Sequence, residues 1–367
     1  MARANRVSEP ARTERGAGAP RESALGGAAG AKPPGSRRKR RYTQIVAGFR
    51  RVQAVVAGDL IADEFIYGRV ERVSREAPVL ILRYDATEIV PGGAGNAASN
   101  AAALGAAVDI VGIAGRDPAG QRMFDALPAR ARARSVHRAA GYVTPVKTRI
   151  LAGGIHSAKQ QVVRIDRAGG RPDVRAKRHA EASLARAIAR ADVVILSDYG
   201  GGLITSALWQ RALKASRRRK PPITLVDSRY ALAEFSGMTA CTPNESEVEA
   251  LLGVRIGDDP HALEEAGRRL LERLRCQAVL VTRGSRGMAL FQQRKPTEHI
   301  SIVGSDQVTD TTGAGDTVIA TFALALGAGA TFSEAAHLAN HAAGLVVMKR
   351  GTATVSGAEL AAAIAKL

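Results

Sequence analysis

The sequence predicts an α/β fold with a mostly parallel sheet and a small inserted β lid. Short β-branched runs recur along the chain, each closed by glycine or polar residues, and alanine-rich helical stretches lie between them. Two longer segments instead alternate apolar and polar residues with no helix between strands. A chain of 367 residues has room for one large α/β domain or two modest ones.

The first 53 residues carry 13 Lys/Arg against 3 Asp/Glu, about half of the formal net charge of +19. That excess would suggest nucleic acid or anionic lipid if it lay on the body. It lies instead in a stretch rich in Ala, Gly, Pro and Arg that includes "RRKRR" (37–41) and has no apolar period. Residues 1–45 are therefore expected to be a disordered basic tail, a solvated extension or product of a misplaced start codon rather than a nucleic-acid arm. Residues 46–367 are expected to form the folded domain.

"VQAVVAG" (52–58) reads as the buried strand that opens the fold, followed by "VDIVGIAG" (108–115), "ADVVILSDYG" (191–200), "PITLVDSR" (222–229) and "QAVLVTRG" (277–284). The intervening helices are predicted over 95–106, 179–191, 206–219 and 261–275. Segments 64–90 and 142–166 are predicted to form the lid. Arg12, Arg15 and Arg21 interrupt any secretory h-region. The longest weakly polar run, 317–332, falls short of the roughly 20 residues a membrane span needs. The isolated Cys241 and Cys276 suit a reducing compartment, so a cytoplasmic protein with no membrane association is expected.

In such folds ligands bind beyond the carboxyl ends of the strands, which directs attention to Asp59, Asp63, Asp198, Asp227 and Asn244. "PGGAGNAASN" (91–100) offers glycines for close backbone approach and Asn96 for a polyol hydroxyl, or is a plain glycine turn. "TPNESE" (242–247) offers Asn244 and Glu247 to the waters of a magnesium ion, or is a capping pair that starts a helix. In "DTTGAGDT" (310–317) the N–H groups of Gly313, Ala314 and Gly315 would face an anion at a helix N-terminus. Asp316 behind them is a general base or simply an N-terminal cap. No G-x-x-x-x-G-K-[ST] occurs, which disfavours a P-loop NTPase.

Together, "PGGAGN", "TPNESE" and "DTTGAGDT" resemble the ribokinase-like (PfkB) family of carbohydrate kinases, from about residue 52 to the end. The stretches "GDLIADEFIYG", "VSREAPV", "QQVVRID", "LSDYGGG" and "NHAAGLVVMKRGTATV" are similar to the family's D-glycero-β-D-manno-heptose 7-phosphate kinases, often the first half of a bifunctional enzyme. The resemblance implies a three-layer α/β/α fold and an ATP- and Mg2+-dependent phosphorylation of the heptose phosphate at O1. Another family activity, on ribose, fructose or a nucleoside, is the alternative.

The resemblance further implies Asp316 as base and Gly313, Ala314 and Gly315 as anion hole, with a monovalent cation as a family option. Asp59, Asp63, Gly92, Gly93, Asn96 and Asp198 would hold the sugar; its phosphate needs a cationic clamp, for which Lys147, Arg149 and Arg164 are the candidates, or these three are solvated lid charges. Asn244, Thr282, Gly284, Gly287 and Asn340 would lie along the nucleotide, and Glu247 would reach magnesium through water. A homodimer paired through the lids is expected, because lid edges need cover. Arg229 stands where the family pattern carries a lysine, and no H-x-G-H of a nucleotidyltransferase half occurs.

Overall fold

The computed structural model describes residues 34–153, 159–303 and 310–367. In chain order its strands are β1 (Gln53–Gly58), β2 (Leu60–Val73), β3 (Leu80–Gly93), β4 (Ala107–Gly115), β5 (Ala131–Ala139), β6 (Val146–Gly153), β7 (Gln160–Arg167), β8 (Val193–Asp198), β9 (Ile223–Ser228), β10 (Ala240–Cys241), β11 (Ala278–Thr282), β12 (Met288–Gln292) and β13 (Glu298–Ile300). The helices are α1 (Pro34–Gly48), α2 (Ala94–Ala103), α3 (Pro118–Asp125), α4 (Val174–Ile188), α5 (Ser206–Ala215), α6 (Glu245–Leu252), α7 (Pro260–Leu274), α8 (Ala314–Gly327), α9 (Phe332–Val346) and α10 (Gly357–Ile364).

Among the described residues the main sheet runs β13-β12-β11-β10-β9-β8-β1-β4-β5, parallel except where β12 and β13 turn back. Its central strands read as unbroken apolar runs because both faces are covered. Along β8, Val193 and Ile195 enter the core beneath α1, α2, α8, α9 and α10, while Val194 and Leu196 enter the core beneath α4, α5, α6 and α7. This two-sided burial makes the three-layer α/β/α arrangement.

β5 escaped the sequence prediction because its "ARARSVHRA" alternates arginine with small residues, a pattern fit for the half-covered edge strand it proves to be. Helix α1 corrects the expected tail. Tyr42, Ile45 and Val46 are buried in the first core, and Arg41 pairs with Glu334 on α9 at 2.8 Å. The basic stretch thus starts a folded helix, and β1 is not the first element of the body; residues 1–33 lie outside the described residues.

A second sheet, β3-β2-β6-β7, contains the segments expected to form a lid, of which 154–158 lie outside the described residues. It stands directly on the main sheet, since a single residue, Asp59, separates β1 from β2. Any ligand beyond the end of β1 therefore meets the lid.

Candidate active site

The carboxyl ends of β1, β8, β9 and β11, the first turns of α6 and α8, and the lid surround two cavities of about 800 and 330 Å3. Tyr199 and Arg229 line both and form their common wall. Tyr199 follows the last residue of β8, and its backbone N–H and that of Gly201 donate to Asp59 Oδ2 at 2.8 and 2.9 Å. Asp59 is thereby a brace for the wall as well as a lining group of the larger cavity.

Behind this wall sits Asp316, in the first turn of α8 and only 5% exposed. Asn96 Nδ2 donates to its Oδ2 at 2.7 Å, and the Tyr199 hydroxyl donates to its Oδ1 at 3.2 Å. Burial raises the carboxyl's pKa to about 7, although both hydrogen bonds favour the charged form and pull it down. A carboxylate poised near neutrality suits general-base work better than a cap would require. Gly313 takes a left-handed φ of 78° at the N-cap, where a β-carbon would lie 2.4 Å from Asn96 Nδ2. Glycine here lets the turn close onto the residue that holds Asp316.

The Ala314 N–H is engaged by the Thr311 carbonyl at 3.2 Å, and Ala314 lines neither cavity. Gly313 and Gly315 do line the smaller one. Asp310 is a loop residue, its two carboxylate oxygens accepting from the N–H groups of Thr312 and Gly351.

The smaller cavity also collects Asp198, Asp227, Asn244, Glu247 and Thr282. Asn244 and Glu247 form a complete capping box on α6, each side chain accepting the other's N–H at 2.9 Å. The box uses one Glu247 oxygen and leaves the other. Burial raises the pKa values of Asp227 and Glu247, and the Asp316 charge adds to the effect on Asp227. Crowded carboxylates of this kind are relieved by a cation. All these donors are hard oxygens, which suits a magnesium ion that keeps most of its water. Among the described residues no group of three or more His, Cys, Asp or Glu could hold a metal alone.

The larger cavity brings together Lys147 and Arg164 as expected, with Lys147 Nζ 4.8 Å from the centre of the Tyr199 ring. Arg149 does not join them. Its Nη1 is bound to Asp63 at 2.7 Å with both side chains buried, and Thr352 donates to the other Asp63 oxygen at 3.0 Å. Asp63, Gly92, Gly93 and Asn96 do not line this cavity; Asn96 holds Asp316, and Asp63 packs against Gly92. Three expected nucleotide residues, Asn340, Gly284 and Gly287, line neither cavity. Asn340 donates to the Ser301 carbonyl at 2.7 Å, Gly284 sits in a turn at φ 57°, and Gly287 at φ 77° passes so close to Ile300 that a β-carbon would clash. Sequence reasoning gave no role to Tyr199, although it stands next to Asp198 at a strand end where ligands bind.

A family model described as pfkB family carbohydrate kinase matches residues 54–358. The chain is 42% identical over 325 residues to a curated relative named bifunctional protein HldE from Halorhodospira halophila, and 37% identical over 323 residues to the protein of that name from Geobacter metallireducens. Each match covers 88% of this chain and 65% of the relative, so the chain spans under two thirds of those proteins. Among solved structures it is similar to Arabidopsis thaliana ribokinase complexed with ribose and ATP, at TM-score 0.66 and 22% identity over 85% of this chain and 98% of that one. Phosphofructokinase-2 from Escherichia coli in complex with fructose-6-phosphate matches at TM-score 0.67 and 18% identity, over 86% and 99% of the two chains. These likenesses show the ribokinase-like fold.

Proposed function

Since the chain belongs to the pfkB family of carbohydrate kinases, we propose that it transfers the γ-phosphoryl group of ATP to O1 of D-glycero-β-D-manno-heptose 7-phosphate. The observation that carries the reading is the common wall at Tyr199, with Asp316 behind it and two cavities of opposite character on its sides. The oxygen-lined cavity suits a nucleotide with hydrated magnesium, and the cation-lined cavity suits a phosphorylated sugar. The heptose itself rests on the stretches similar to heptose 7-phosphate kinases and on the HldE relatives.

In the reaction the sugar hydroxyl would lie between the cavities, and Asp316 would accept its proton as the new P–O bond forms. Asn96 and Tyr199 hold one carboxylate oxygen each, fixing the base while leaving lone pairs on both. The N–H groups of Gly313 and Gly315 would meet the charge on the transferring group, aided by the α8 dipole. Bound magnesium would shield the phosphates of ATP, with Glu247 and Asn244 orienting its waters. Positioning and electrostatics supply most of the rate in such a step.

The lid would exclude water while the phosphoryl group moves. It also carries exposed apolar side chains, including Val73, Tyr84 and Ile165, at 58, 63 and 50%. A homodimer through the lids would cover them. No described helix is long and apolar enough to cross a membrane, and dependence on ATP suits a cytoplasmic enzyme.

The test is ADP formation with heptose 7-phosphate, unphosphorylated heptose, ribose, fructose 6-phosphate and a nucleoside. Heptose 7-phosphate is expected to give the highest kcat/KM, and the product should carry phosphate at O1 by NMR. Equal or better turnover of another acceptor would overturn the substrate.

A further inference from the structure

The larger cavity is lined by six cations, Lys147, Arg164, Arg167, Arg171, Lys177 and Arg229, against the carboxylates of Asp59 and Asp166. Internal partners remove some of these from contention. Arg164 is bound by both oxygens of Asp166 at 2.8 Å, and Arg167 pairs with Glu64 at 3.1 Å. Lys147 lies over the Tyr199 ring, and Arg229 belongs to the wall shared with the smaller cavity. Arg171 and Lys177 have no carboxylate partner among the described residues, and neither lines the smaller cavity.

Their setting is built rather than loose. The loop that carries Arg171 is pinned by the Gly170 N–H, which donates to the Val143 carbonyl at 2.9 Å. A β-carbon on Gly169 would lie 2.8 Å from Pro145, so only glycine lets the loop pack this tightly. Lys177 projects from the first turn of α4, whose start is fixed by the N-cap Asp173, its carboxylate accepting the Ala176 N–H at 2.7 Å.

We propose that Arg171 and Lys177 bind the terminal phosphate of the sugar substrate and so set the enzyme's preference for a phosphorylated acceptor. This rests on the sugar-phosphate reading of the larger cavity. A fork from Arg171 and a point charge from Lys177 would meet a phosphate dianion in the way such groups recognise phosphomonoesters. Arg149, committed to Asp63, has no part in it.

The experiment compares kcat/KM for heptose 7-phosphate with that for unphosphorylated heptose in the parent, Arg171→Gln, Lys177→Gln, the double variant, and the charge-keeping Arg171→Lys and Lys177→Arg. Removing either charge is expected to raise KM for the phosphosugar about tenfold or more, as for lost hydrogen bonds to a charged group, and to cut the preference by the same factor. KM for ATP should not follow, and the charge-keeping variants should lose less of the preference than the Gln variants, Arg171→Lys losing more than Lys177→Arg because it removes the fork. Both residues are exposed, so melting curves should match the parent's. A parent that requires the terminal phosphate while the Gln variants keep its preference overturns this assignment alone. A parent indifferent to the phosphate overturns the sugar-phosphate reading and this site with it.

Discussion

The two cavities meet at Tyr199 but are made differently. The smaller is built from strand ends and helix caps of the main fold, so its groups are fixed by the same hydrogen bonds that terminate those elements. The larger is closed by the lid and the segment after it, where charged side chains divide between internal pairs and the cavity. Chemistry common to the family fits the rigid side, and choice of sugar fits the side that can vary without disturbing the sheet.

The sharpest way to break this division is Asp316→Asn. It should lower kcat about 100- to 10,000-fold with KM for either substrate little changed. The same variant carries a stability signature. A buried carboxyl whose pKa is raised from 3.8 to about 7 costs the fold most when charged, so parental stability falls as pH rises across that interval. An amide at this position carries no charge at any pH. The substitution should therefore raise the melting temperature by ~5 °C at pH 8, and the gain should shrink as pH falls toward 5. A rate near the parent's removes Asp316 as base.

Arg149→Ala probes the lid. It strands the buried Asp63 charge, which costs about 3–5 kcal/mol, or roughly 4–7 °C in melting temperature. If stability holds and only KM for the phosphosugar rises, Arg149 is a substrate clamp after all.

Glu247→Gln separates the two readings of that residue, because glutamine can still close the capping box. The melting temperature should stay within ~2 °C, while the magnesium concentration for half-maximal rate rises about tenfold. An unchanged magnesium titration would leave Glu247 as a cap only.

Tyr199→Phe is the mildest change. The ring stays, so the wall between the cavities stays, but Asp316 loses a donor that favours its charged form. The rate should fall only about three- to tenfold, with the acid limb of kcat/KM, near pH 7 in the parent, moving to higher pH. An unmoved limb would mean that the hydroxyl does not tune the base.

The motifs are legible because each must present backbone or a short side chain at a strand or helix end, and glycine and aspartate mark such places. "DTTGAGDT" predicts the turn and the helix, and its neighbours indicate which aspartate matters. The lid charges are less legible, since a lysine or arginine on a strand looks the same whether it faces a ligand, a carboxylate or water. Arg149 reads as a clamp and is half of a buried pair. The basic run 37–41 reads as tail because its apolar partners, Tyr42, Ile45 and Val46, follow it too closely to show a period.

The sequence by itself determined the alternation of strands and helices, the inserted lid, and the residue types a phosphoryl-transfer site requires, because these follow from local periodicity and turn chemistry. Only the tertiary structure decided which charges are already partnered, that Tyr199 stands between the two cavities, and that Asp316 is buried enough to titrate near neutrality. Partnership and desolvation depend on what distant segments bring within a few ångströms, and no local pattern encodes that.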